Sequence, residues 1–377
     1  MTPVSIRQVP LLDLQAQHKQ IRDEVLAEIV RVVDAQKFIL GEDVKKLEGE
    51  IAAYCGTKYA IGCASGSDAL ILALMALEIK PGDEVLTTPY TFFATAGAIS
   101  RVGAIPVFVD VDEATFNIDP RLMEKALASR PKIRAMIPVH LFGGCADMDP
   151  IMEMGQARGI PVIEDAAQSI GSEYKGRRAG NIGQIGCFSF FPSKNLGGYG
   201  DGGIVTTNDA ALAERLSALR VHGGKRKYYH EWIGMNSRLD ALQAAILRVK
   251  LRYLDGWSTG RAKNAEHYRN QLAKLAVSSA PLTPAEYQTR HIYNQFVIRA
   301  QNRDALQTHL KSQGIGTEVY YPIPLHLQPC YAFLGHKPGD FPVSEKLAAE
   351  SLALPVHSEM PAGDIDYVCD ALRAFHA

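Results

Sequence analysis

The sequence predicts an α/β protein, with a large domain built on a mainly parallel mixed sheet flanked by helices and a smaller C-terminal α+β domain. Three observations predict it. Strand-like and helix-like segments alternate from about residue 40 to 250. The strand-like segments are short, continuous apolar runs, the pattern of strands buried on both faces. The chain also has 377 residues, more than one hydrophobic core ordinarily organises. The division is placed at residue 255, giving a large domain over 1–255 and a small one over 256–377, with the N-terminal segment available to pack on the small domain.

The elements follow in order. SGSDALILALMALEI (65–79) is apolar on all sides and reads as a buried helix. EVLTT (84–88) is a strand, TFFATAGAISRVG (91–103) a helix and IPVFVDVD (105–112) a strand. PRLMEKALASR (120–130) is an amphipathic helix, KIRAMIPVH (132–140) a strand, DPIMEMGQARG (149–159) a helix and IPVIED (160–165) a strand. GCFSFF (186–191) and GIVTTN (203–208) are strands, and AALAERLSALRVHG (210–223) is a helix. Residues 238–275 read as one long helix, or two joined near Gly256 and Gly260, leading into the small domain. There YNQFVIRA (293–300) and GTEVYY (316–321) read as strands. RDALQTHLKSQG (303–314), SEKLAAESLAL (344–354) and GDIDYVCDALRAFH (363–376) read as helices.

In sheets of this kind ligands gather beyond the carboxyl ends of the strands, where His140, Asp165 and Lys194 fall. Lys194 follows an apolar strand and enters a glycine-rich loop, in CFSFFPSKNLGGYGDGG (187–203). Desolvation there lowers the proton affinity of an amine and makes it a nucleophile toward carbonyls. An amine and a carboxylate on two strand ends suit pyridoxal phosphate: Lys194 forms the Schiff base, and Asp165 keeps the pyridine nitrogen protonated. Gln168 is placed to donate to the ring's phenolic oxygen. ASGSDAL (64–70) offers Gly66, Ser67 and a helix N-terminus to a phosphate. Ser189 alternates with Phe188 and Phe190 and points toward the cofactor; Phe92 or Phe93 could stack on the ring. Gly198, Gly200 and Gly203 match G-x-G-x-x-G by spacing alone. They lead into a strand and not a helix, so the match does not make a dinucleotide site. Lys225-Arg226-Lys227, among His222, Tyr228, Tyr229 and His230, reads equally as a solvated loop or as a clamp for substrate phosphates.

Composition narrows the setting. Net charge is −1 with both signs interspersed, which gives no field for nucleic acid or an anionic membrane. No stretch is long enough to span a bilayer, and the first twenty residues lack the signature of a signal peptide. The six cysteines are scattered without a C-x-x-C pair and read as reduced thiols in a cytoplasmic protein, with no metal site.

FILGEDVKKLEGEIAAYCG, SGSDAL, PVHLFGGCADMDPI, VIEDAAQSIGSEYKG, FSFFPSKNLGGYGDGG, NSRLDALQAAIL and YPIPLHLQP together resemble the nucleotide-sugar aminotransferases of the DegT/DnrJ/EryC1/StrS group. That resemblance implies the fold-type I fold of pyridoxal-phosphate-dependent transferases, with Lys194 as Schiff-base lysine and proton shuttle and Asp165 on the pyridine nitrogen. It implies Gln168 on the phenolic oxygen, Phe92 stacked on the ring, and Gly66, Ser67 and Ser189 on the phosphate. Asn236 would reach the cofactor phosphate of a neighbouring subunit, making a homodimer with shared sites. Lys225, Arg226, Tyr321 and His326 are the expected substrate contacts. Tyr320 and Asn294 stand where histidine is common in the group. The implied reaction converts a keto sugar on UDP or dTDP, at C3 in preference to C4, to the amino sugar with L-glutamate as donor. The alternatives are a cofactor-binding regulator without turnover and a nicotinamide oxidoreductase.

Overall fold

The computed structural model describes residues 7–274, 280–281 and 283–376. Its centre is a sheet ordered Ile105–Phe108, Glu84–Thr87, Ile133–Met136, Ile163–Asp165, Ile185–Ser189, Gly203–Thr207, Tyr59–Cys63. Parallel bridges from Met136 to Val162 and from Val139 to Asp165 join its two halves. Only Gly203–Thr207 runs against its neighbours, so the sheet is mixed and mainly parallel.

Both faces are covered, which is why the strands are apolar throughout. The helices Gly66–Ala76, Ala94–Arg101 and Ala210–Leu219 cover one face through Leu70, Leu72, Ile99 and Leu216. Gly66–Ala76 is buried along nearly its whole length, as its apolar run predicts. The helices Glu42–Cys55, Pro120–Ser129, Met148–Arg158 and Ala241–Leu251 cover the other face through Leu47, Ile51, Met123, Ile151 and Leu247.

A separate core lies toward the C-terminus, where Phe296–Arg299 pairs antiparallel with Ser351–Leu354. The helices Leu254–Leu272, Arg303–Ser312 and Ala362–His376 pack there. Val9 joins this core, with its N–H on the Gly314 carbonyl (2.9 Å) and its carbonyl on the Gly316 N–H (2.8 Å).

Four local expectations change. The run 344–354 is not one helix: the helix ends at Glu350, and Ser351–Leu354 is a buried strand. Its ladder with Phe296–Arg299 overrides helical preference in a four-residue apolar run. The 238–275 segment breaks at Arg252–Tyr253, where N–H groups bond back three residues to Val249 and Lys250 and Tyr253 stacks on Trp257 at 5.8 Å. Gly256 and Gly260 lie inside the second helix. GTEVYY forms a single bridge, Glu318 to Ala353, and no strand. Finally, the helices Leu14–Ala35 and Glu42–Cys55 lie outside the elements read from sequence.

Candidate active site

A cavity of about 460 Å³ opens at the carboxyl ends of the central strands. Strand Ile163–Asp165 delivers Asp165 to its floor, where the carboxylate is buried. Asp165 accepts hydrogen bonds from the Thr95 hydroxyl (2.7 Å) and the Ala167 N–H (3.2 Å). Burial pushes its carboxyl above the ordinary range, against the pull of Thr95, Ala167 and the Lys194 charge. The preceding residue, Glu164, faces the opposite layer. Burial opposes its charge too. His140 and the N–H groups of Gly180 and Gly183 nevertheless hold it below the ordinary range. His140 accepts the Ala146 N–H at Nδ1 (3.1 Å), so Nε2 carries the proton given to Glu164 (2.9 Å). One carboxylate on this strand is thus fully satisfied as a structural anion, and its neighbour is left facing the cavity.

Lys194 enters from the arch after strand Ile185–Ser189. Burial draws its amine down to about 8, with the charge of Asp165 pulling the other way. Gln168 accepts the Phe142 N–H at Oε1 (2.8 Å) and donates from Nε2 to the Tyr321 hydroxyl (3.1 Å). Its orientation is therefore fixed, with an amide hydrogen left for a ligand.

At the other end of the cavity, helix Gly66–Ala76 starts against strand Ile185–Ser189. A Cβ at position 66 would lie 2.6 Å from the Ser189 Cβ, so only glycine lets helix and strand meet this closely. Ser67 and Ser189 flank that meeting point, beside the free N–H groups of the first helical turn. A buried carboxylate and a desolvated amine thus share one cavity with a helix N-terminus and two hydroxyls. The model of the DegT/DnrJ/EryC1/StrS aminotransferase family matches residues 19–373. The chain belongs to that family.

Family members named for more than one role are similar to it. A "Pleiotropic regulatory protein" of Geobacillus stearothermophilus is 51% identical over 98% of both chains. A UDP-N-acetyl-3-dehydro-alpha-D-glucosamine 3-aminotransferase of Acidithiobacillus ferrooxidans is 45% identical over 97% of both. The crystal structure of Streptomyces venezuelae DesV in complex with a ketimine intermediate superposes with a TM-score of 0.94, at 43% identity over 98% of both chains.

In this family member the cavity brings together Gly66, Ser67, Phe92, Asp165, Gln168, Ser189, Lys194 and Tyr321. The Phe92 ring lies 6.1 Å from that of Tyr321. Four expected residues are elsewhere. Asn236 is exposed and bridges Val221. Lys225 pairs with Glu214 (2.8 Å) and Glu231 (3.1 Å), and Arg226 lies over the Tyr229 ring at 4.7 Å. His326 is buried between Glu345 (3.0 Å) and the Phe341 ring (4.6 Å), turned into an aromatic cluster away from the cavity. Of the two positions where histidine is common, Tyr320 lines the cavity, while Asn294 is buried with its amide on Asn195 Oδ1 (2.7 Å).

Sequence reasoning missed Thr95, Thr91 and Gln295. Thr91 and Thr95 are hydrogen-bonded at 3.0 Å, one helical turn apart and flanking Phe92. That i, i+4 pair of hydroxyls at a helix start was the available signal. Gln295 borders the cavity with a buried Oε1 that has no partner among the described residues, which sequence does not reveal.

Proposed function

We propose that this chain is a pyridoxal-phosphate-dependent transaminase that converts the C3 ketone of a UDP- or dTDP-linked sugar to an amine, with L-glutamate as donor. The observation that carries the reading is the pairing of a desolvated Lys194 amine with a buried Asp165 in one cavity. C3 is favoured by the likeness to the Acidithiobacillus ferrooxidans 3-aminotransferase.

The residues fit the cofactor. Asp165 would face a basic ring nitrogen, Gln168 would offer a donor to a phenolic oxygen, and the narrow Gly66–Ser189 contact would leave backbone N–H groups open to a phosphate. Phe92 supplies a ring face. Pyridoxal phosphate, when bound, supplies an electron sink for the donor's α-carbon. Lys194 would hold the cofactor, and its amine, desolvated in the cavity, would be the group that moves the proton at the donor's α-carbon. An amine titrating at about 8 is suited to both accepting and returning that proton near neutral pH. Asp165, held by Thr95 and Ala167, would keep the ring nitrogen protonated.

Among the described residues, Lys194 is the one cation lining the cavity of its own chain. A donor dicarboxylate and a nucleoside diphosphate need more. Lys225 and Arg226, at the surface, supply further positive charge, and the exposed Asn236 an amide donor, in a homodimer whose cavities each receive the partner's residues. The large domain is assigned to 1–255 and the small one to 256–377, both in the cytoplasm. No helix among the described residues is long and apolar enough to cross a membrane.

A second reading, a regulator that binds the cofactor without turnover, is favoured by the name of the Geobacillus stearothermophilus relative. One titration separates the two. Protein loaded with pyridoxal phosphate should show a visible band that L-glutamate removes, releasing an equal amount of 2-oxoglutarate. A band that glutamate leaves untouched favours the regulator. Loaded protein supplied with UDP- and dTDP-linked 3-keto and 4-keto sugars then fixes nucleotide and carbon.

A further inference from the structure

We infer that Lys250, a residue outside the cavity, is a positioning residue for Lys194: its ammonium pins the carbonyl of Gly197 and so fixes the arch on which Lys194 stands. The inference rests on the assignment of Lys194 as the cofactor-binding lysine.

The arch runs from Phe191 to Gly197. It is closed at its base by the Gly198 N–H on the Phe190 carbonyl (2.7 Å), and the Lys194 N–H turns back onto the Phe191 carbonyl (2.9 Å). The two legs touch: a Cβ at position 197 would lie 2.2 Å from the Pro192 carbonyl oxygen, so no side chain fits there. Asn195 ties one flank to the Ile292 carbonyl (3.0 Å). The other flank is tied by Lys250, from helix Ala241–Leu251, whose Nζ lies 2.5 Å from the Gly197 carbonyl oxygen.

Lys250 is only 3% exposed. The rings of Tyr199 and Trp257 flank its ammonium at 5.5 and 5.9 Å. Burial draws the amine down to about 8, and the charge that resists this belongs to Glu359, beyond hydrogen-bond range. Stability alone argues against such a residue, because an apolar side chain of similar length would pack without desolvating a charge. What the charge adds is a short, charge-assisted hydrogen bond to a carbonyl three residues beyond Lys194. Because the arch is closed and its legs are in contact, holding Gly197 holds Lys194. Misplacing a reacting group by about 1 Å can cost about a hundredfold in rate.

The test uses the enzyme loaded with pyridoxal phosphate. Lys250→Met should lower kcat for amino transfer by about tenfold or more. KM for both substrates should stay within about twofold, and the melting temperature of the cofactor-free protein should not fall. The pH midpoint of the cofactor's visible band should move by about one unit. Lys250→Arg, which keeps donor and charge, should restore both kcat and the midpoint. Should the Met variant fail to fold, Lys250→Gln takes its place with the same expected direction. A folded Met or Gln variant with wild-type kcat and a wild-type midpoint overturns the inference. A wild-type protein that shows no visible band with pyridoxal phosphate overturns the assignment of Lys194 instead.

Discussion

The arch that carries Lys194 and the hairpin Gly224–His230 are the two most contrasting regions of the molecule. The arch closes on itself at its base and is tied from two sides, by helix Ala241–Leu251 and the Ile292 carbonyl. The hairpin holds its cations at the surface against its own rings and against Glu214 and Glu231, with Lys227 over Tyr228 at 5.2 Å. Tyr228 is 83% exposed, and nearby Ile233 is 94% exposed. The difference teaches where this chain invests order. On the proposed function, the groups that carry chemistry are desolvated and pre-positioned, whereas those offered to substrate or to a partner stand with their apolar faces bare.

The sharpest break in that contrast is Lys194→Ala. It should lower turnover by about 10³-fold or more while leaving a folded protein, measured as 2-oxoglutarate released from glutamate. Activity near wild type would remove the arch from the chemistry altogether. Next in size is pH. Below about 8 the Lys194 amine is protonated, so its capture of pyridoxal phosphate should rise about tenfold per unit and flatten above about 8. Mixing cofactor-free protein with pyridoxal phosphate at a series of pH values reads this from the growth of the visible band. A profile that keeps climbing well past 8, toward the ordinary lysine range, would mean that the amine is not desolvated. Thr95→Val removes the hydroxyl on Asp165 and should cost about tenfold in kcat with little change in KM for glutamate. Smallest is Arg226→Ala in the hairpin. It should raise KM for the nucleotide sugar by about two- to fivefold at constant kcat, and a fall in kcat instead would make the hairpin part of the catalytic machinery.

The central sheet was legible because two-sided burial writes itself as unbroken apolar runs, and VIED and CFSFF sit where those runs place them. Lys194, Asp165 and Gln168 could be placed at the cavity for the same reason, since each lies at or just beyond a strand end. SLAL could not, because four apolar residues fit a helix or a strand equally, and only the partner at 296–299 decides. Helix Leu14–Ala35 did carry a signal: Ile21, Val25, Ile29 and Val32 follow helical spacing and face Ile246 and Val249 or Ala241 and Ala245. Thr95 and Lys250 act through contacts that join distant segments. His326 illustrates the opposite failure, because its place in YPIPLHLQP gives no hint that the ring turns inward to Glu345.

The one antiparallel strand of the central sheet has a consequence for how the site comes into being. Gly66 and Ser67 follow strand Tyr59–Cys63, and Lys194 precedes strand Gly203–Thr207; pairing of these two strands brings phosphate cradle and amine together. They lie roughly 140 residues apart, so at ordinary rates of synthesis the first half of the site waits on the order of ten seconds for the second. Closing so distant a pair is a slow, late event in folding. On the proposed function, capture of pyridoxal phosphate is therefore a signal that the nascent chain has completed its central sheet, and a chain stalled before residue 203 should form no cofactor band.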